Sequence, residues 1–231
     1  MLPEAAVAFR PALCCAPLVL LAALSSGCVT ARMEESKNSA TGIAAGESVV
    51  ILATSYHKGK PVEEDFVSCI SDQVQKGEGS IHVYPEQQFT DALFPWFEPR
   101  TAPQAAEALP ELLARSGVAD RISERGIRYI VWLNGATEET SSGGSMSCAI
   151  GPGGGGCFGV SWWEDDAAYD AAVWDLRQKV DAGSVKAAVH GTSMVPALII
   201  PLPFIARTQS AACKDMAREL RKFISNSGPP T

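Results

Sequence analysis

The chain is poor in the residues that most readily announce a chemistry. It has three histidines in 231 positions, no Cys-x-x-Cys pair, no basic cluster and no apolar run long enough to span a bilayer comfortably. His57 and His82 have no cysteine or carboxylate partner at ligand spacing, so no metal site is expected. Without Cys-x-x-Cys, a thiol-redox enzyme is disfavoured. A formal charge of −7 with no basic cluster argues against nucleic acid as a partner. The glycine-rich segment 151–156 lacks a Gly-Lys-Ser/Thr ending and opens no helix, which excludes a phosphate-binding loop and leaves a hairpin tip. No internal repeat is visible. Hydrophobic residues make up 46% and charged residues 19%, a globular composition.

The N-terminus reads as an export signal. A short leader ending at Arg10 precedes an apolar stretch, Pro11 to Leu24, of signal-peptide rather than membrane-span length. Leu24-Ser25-Ser26-Gly27-Cys28 follows and resembles the bacterial lipobox. The resemblance implies cleavage after residue 27 and lipidation of Cys28, with palmitate among the acyl groups. Loss of 1–27 removes Glu4 and Arg10, leaves the charge unchanged, and leaves enough chain for one domain. Val29 in place of Asp after the cysteine resembles enterobacterial lipoproteins sorted to the outer membrane, which implies a position facing the periplasm. Residues 28–47 are polar, lack a sustained apolar period, and are expected to be a flexible tether.

One domain is expected over 48–225, with a disordered tail at 226–231. Ser48–Thr54 reads as a buried strand, 61–76 as a helix with Phe66, Cys69, Ile70 and Val74 at helical spacing, and 80–84 as a second strand. Helices are expected over 85–97, 103–116 and 118–125, then a strand over 127–133. Hairpins are expected from 145–150 with 157–162, and from 169–177 with 184–192 around a turn at 181–183. Three prolines make 194–205 a packed loop, and 208–223 is an amphipathic helix with Ala212, Met216, Leu220 and Phe223 inward. The result is an α+β fold: a mixed β-sheet covered by helices, with antiparallel hairpins in the C-terminal half. Val49–Leu52, Gly126–Val131 and Ala172–Leu176 resemble strands of the curli-secretion lipoprotein family and of the TolB N-terminal domain. The resemblance implies an α/β envelope domain; no stretch matches the curli family's transmembrane strands, so a pore is not implied.

Four cysteines remain after Cys14, Cys15 and Cys28 are set aside, and an even number in an exported chain favours disulfides. Of three pairings, Cys148–Cys157 across one hairpin and Cys69–Cys213 between two helices are expected. His190-Gly191-Thr192-Ser193-Met194 resembles the nucleophile segment of subtilisin-like proteases, but that family's aspartate and histidine motifs are absent, so a strand end is expected instead. No catalytic residue and no cofactor is assigned. Trp162-Trp163 beside the glycine tip is a candidate interface, because neighbours on a strand face opposite ways and at least one should lie outside the core. The expected function is a membrane-anchored, non-enzymatic assembly or accessory subunit in contact with other envelope proteins. The alternative is an envelope hydrolase or glycan-binding enzyme using carboxylates such as Glu164, Asp165 or Asp175. A pocket of convergent carboxylates would favour the alternative, a flat apolar patch near the tryptophans the subunit.

Overall fold

The computed structural model describes residues 28–53, 61–98, 100–103 and 106–225. The expected leader, His57 and the tail lie outside them. In chain order the elements are β1 (Cys28–Lys37), β2 (Ser48–Ala53), α1 (Glu64–Val74), β3 (His82–Tyr84), α2 (Glu86–Ala92), a 3-10 turn (Ala106–Ala108), α3 (Leu109–Leu113), α4 (Val118–Glu124), β4 (Ile127–Gly151), β5 (Gly154–Asp175), β6 (Val180–Ile199) and α5 (Thr208–Ser225). The strands form one mixed sheet in the order β1-β6-β5-β4-β2-β3. β2 is parallel to β3 and β4, and the remaining pairs are antiparallel. This is the α+β fold expected from the sequence.

Helices cover the sheet unevenly. On one face α1 and α5 pack side by side, burying Phe66, Ile70, Met216 and Leu220 against Val49, Ile51, Tyr129, Val131 and the odd-numbered positions 167–173 of β5. Their apolar residues recur at helical spacing, so each helix has one stripe to bury and the sheet face supplies the partner. Cys69–Cys213 joins these two helices. On the opposite face α2, α3 and α4 cover the β2–β4 end, around Val50, Leu52, Phe89, Leu109, Ile122 and Ile130, and reach Trp174 of β5.

Several expectations are corrected. Residues 28–47 are not a free tether: Cys28–Lys37 pairs antiparallel with β6, from Cys28 opposite Thr192 to Lys37 opposite Gly183. The segment after it is also held, with the Gly42 amide donating to the Tyr129 hydroxyl at 3.0 Å and the Thr41 hydroxyl donating to the Phe223 carbonyl. An edge strand is secured by backbone hydrogen bonds, which a polar sequence supplies as well as an apolar one. Among the described residues of 85–116 the helical pieces are short, α2, the 3-10 turn and α3, in place of two long helices.

The hairpins are longer than their sequence signals. β4 and β5 pair from Tyr129–Asp175 to Gly151–Gly154, with one bulge between Glu139 and Ser141, so 145–150 and 157–162 are only the far end of one ribbon. The following turn falls at 176–179, not 181–183, because the buried Asp175 carboxylate accepts the amides of Arg177 and Gln178 at 2.9 and 2.8 Å. Residues 194–199 are strand, not loop. Pro196 is tolerated because its backbone faces the outer edge, where its carbonyl accepts the Leu202 amide and no ladder donor is missed.

Among the described residues, pairing of β2 with β4 ends at Leu133 and pairing of β1 with β6 ends at Thr192, and beyond these positions β4, β5 and β6 continue together as a three-stranded arm. Gly135 sits where β4 parts from β2. Its φ is +123°, and a Cβ there would run into the Ala168 and Tyr169 backbone, so only glycine lets the two strands approach.

Candidate functional site

Side chains alternate across a strand, so α1 and α5 on one face leave the even-numbered residues of β1, β5 and β6 on the other. Near the 176–179 turn this second face is still covered, with Ala172 and Trp174 of β5 packed in the α2–α4 cluster and the 3-10 turn against β6; beyond that, toward the tip, no described helix lies over β1, β6, β5 and the adjoining part of β4. Its rows follow from the strand register. Glu34, Lys186, Asp170 and Asn134 form one row; Arg32, Ala188, Ala168 and Ala136 the next; Thr30, His190, Asp166 and Glu138 a third. Between the charged rows the alanines make a flat floor, and a shallow depression of about 410 Å³ opens over Arg32, Ala168, Asp170 and Ala188. Charges are paired within this face: Lys186 Nζ lies 3.5 Å from Asp170, Arg32 2.8 Å from Glu34, and His190 Nδ1 2.6 Å from Asp166. The hydrogen bond to Asp166 raises the His190 pKa above 6.5, although the side chain is about half exposed.

Toward the tip the same face turns apolar. After the Cys28, Thr192 and Glu164 row, the rows pair Trp162 with Met194, Val160 with Pro196, and Phe158 with Leu198. Phe158 is 72% exposed and Leu198 76%, whereas Trp162 is half-buried. Its ring lies on Gly143 of β4, where the missing side chain leaves room for it. Trp163 points the other way, beside buried Ser193, and is half-buried too. The two tryptophans therefore occupy opposite faces, as strand geometry requires, at the level where charged rows give way to apolar ones.

The other sequence candidates separate clearly. Cys148–Cys157 bridges the two arms of the hairpin near its tip, and Cys69–Cys213 is the second cystine, so both expected pairings are present. These cystines mark an oxidising, exported setting. Among the described residues no helix is long and apolar enough to cross a membrane. Cys28 is exposed at the root of the arm. The carboxylates Glu164, Asp165 and Asp175 do not converge. Glu164 and Asp165 are consecutive on β5 and face opposite ways, while Asp175 is fully buried at the far end of the strand, 2.6 Å from Arg128. Ser193 accepts the Ala206 amide at 3.0 Å and is fully buried, and His190 lies on the other face, so the two form no catalytic pair.

Sequence reasoning missed one polar cluster. The Tyr169 hydroxyl donates to Glu63 at 2.9 Å and lies 2.8 Å from the Thr137 hydroxyl, while the Thr137 amide donates to Glu63 at 2.7 Å. Burial pushes the Tyr169 phenol up to about 12, assisted by the charge of Glu63. The cluster ties β4, β5 and the start of α1 together, and its members lie far apart in sequence, so no local signal marks it.

No family model matches the chain, and no curated protein matches it. Among solved structures the chain is similar to two crystal forms of the PelC dodecamer from Paraburkholderia phytofirmans, one of them a point variant. Identity is 13% and 14%, with 85% and 86% of this chain and 99% of that chain covered, at a TM-score of 0.38 in each case. Similarities this weak extend no activity and no assembly to this chain.

Proposed function

We propose that this chain is a lipid-anchored envelope protein, attached through an acylated Cys28 to the outer membrane and facing the periplasm. It serves there as a non-enzymatic assembly or accessory subunit that works through protein contacts. The observation carrying this reading is the bare sheet face, whose paired charges and alanine floor form a broad, shallow surface rather than a carboxylate-lined cleft. A flat face with small residues at its centre admits a partner's backbone closely, and its charged rows set the register of docking. The lipobox-like segment and the two cystines support an envelope location.

The test combines two readouts in cells. A photo-crosslinking residue at Ala168 or Ala188 should capture a defined envelope protein, and the same residue at Gln73 on the opposite side should not. Cys28→Ala should abolish palmitate incorporation. Equal capture from both faces would remove the interface, and unchanged palmitate labelling would place the lipid elsewhere.

A further inference from the structure

From Thr140 to Trp163, and again from Gly191 to Ala206, the chain contains no charged residue. These two segments are the arm beyond its root and the stretch that returns from its tip. At about 3.3 Å per residue, the uncharged part of β4 alone reaches roughly 40 Å from the root. Exposed apolar side chains emerge from both faces. Phe158 and Leu198 lie on the bare face, Ile150 and Ile199 on the other, and Ile200, Leu202 and Ile205 follow on the returning segment, which makes only isolated bridges to β6. Ile150 is 94% exposed. A protein docking site is apolar on one side; a tip apolar on both sides suits surroundings that are apolar all round.

We infer that the end of this arm seats in a lipid surface, at the boundary between headgroups and acyl chains. Three further observations fit that partner. Trp162 and Trp163 stand on opposite faces at the level where charge ends, which is where amphipathic indoles settle at a membrane–water interface. Just rootward of them come Glu138, Glu139, Glu164, Asp165 and Asp166, which resist deeper entry. Cys28 lies opposite Thr192, one row rootward of Trp162–Met194 and on the same face, so chain preceding it and any lipid upon it start beside the arm.

Depth is limited by the backbone. Beyond Leu133 the outer edge of β4 has no neighbouring strand among the described residues, and unpaired amides and carbonyls are costly in hydrocarbon. The seat is therefore interfacial rather than spanning. It is also driven by apolar burial and not by charge, because an acidic root is repelled by anionic headgroups.

The inference does not depend on the lipid at Cys28. The full chain is reconstituted into phosphatidylcholine vesicles containing a diazirine-bearing phospholipid, photolysed and mapped by peptide mass spectrometry. Peptides from 145–163 and 194–206 should be labelled about fivefold or more above those from 164–190 and from α5. Phe158→Asp combined with Leu198→Asp should bring the tip down to that background, with circular dichroism and both cystines unchanged. Replacing a third of the lipid with phosphatidylglycerol should lower tip labelling. Tip labelling no greater than that of α5, or insensitive to the two aspartates, overturns the inference, as does crosslinking between copies along β4 with the tip unlabelled. Palmitate incorporation is read separately: a labelled tip without palmitate keeps this inference and removes the anchor, whereas palmitate with an unlabelled tip does the reverse.

Discussion

Breaking the Cys69–Cys213 bridge should cost this fold more than any other single covalent change. The cystine joins α1 to α5, and its two residues are separated by 144 positions, so it closes a loop that holds most of the sheet. In the chain-entropy account, a loop of that size restricts the unfolded ensemble by about 5 kcal/mol at 25 °C. For a domain this large, each kcal/mol moves the melting temperature by about 2–4 °C, so Cys69→Ala with Cys213→Ala should lower it by about 10–20 °C. Alanine is chosen because Cys213 is 1% exposed and a serine hydroxyl there would be buried without a partner. Cys148→Ala with Cys157→Ala is the control. That bridge spans nine positions near the tip of a projecting arm, so its loss should loosen the arm and leave the melting of the helix-covered sheet almost unmoved. Calorimetry on both double variants decides the matter. A shift under about 3 °C for the long bridge would refute the entropic reasoning, because the unfolded chain would then be about as restricted without the bridge as with it.

Other consequences can be checked independently. Asp175→Ala removes the partner of buried Arg128 and the acceptor of two turn amides, and should destabilise by about 3–5 kcal/mol in urea unfolding, with Arg128→Met recovering part of the loss. The His190 titration followed by NMR should have its midpoint above 6.5, and Asp166→Asn should return it toward that value. Because the folded pKa is the raised one, the stabilising contribution is present below 6.5 and is lost as pH rises through the folded midpoint; a midpoint at or below 6.5 would mean the Asp166 contact is not made in solution. Trp162→Ala should lower vesicle or partner binding with little change in melting, since its ring lies on Gly143 outside the helix-covered core. Trp163→Ala, beside buried Ser193, should lower melting more; equal losses of stability with unchanged binding would make both residues packing elements.

Much of the core was legible in local pattern. Phe66, Ile70 and Val74 recur at helical spacing, as do Ala212, Met216 and Leu220, and a stripe of that kind has one low-energy use, to cover an apolar sheet. Val49–Leu52 and Ile127–Leu133 are short β-branched runs of the sort buried in parallel pairing, and both became neighbouring strands. The cystine pairs were readable because Cys148 and Cys157 fell on the two arms of one hairpin and Cys69 and Cys213 on two helices. What local pattern did not contain was anything settled by backbone hydrogen bonds to distant chain. Cys28–Lys37 has the composition of a linker and becomes a strand only because β6 offers an open edge. Pro196 looks like a strand breaker until the sheet shows which side its missing amide faces. The arm carried a signal in plain sight, two charge-free segments with glycines and exposed aliphatics, but its meaning required the register that places them side by side. The bare face is purely tertiary, since its rows draw one residue from each of four strands spread from Thr30 to His190. Periodicity reports which side of an element is apolar; only the assembled sheet decides which side is left without a cover.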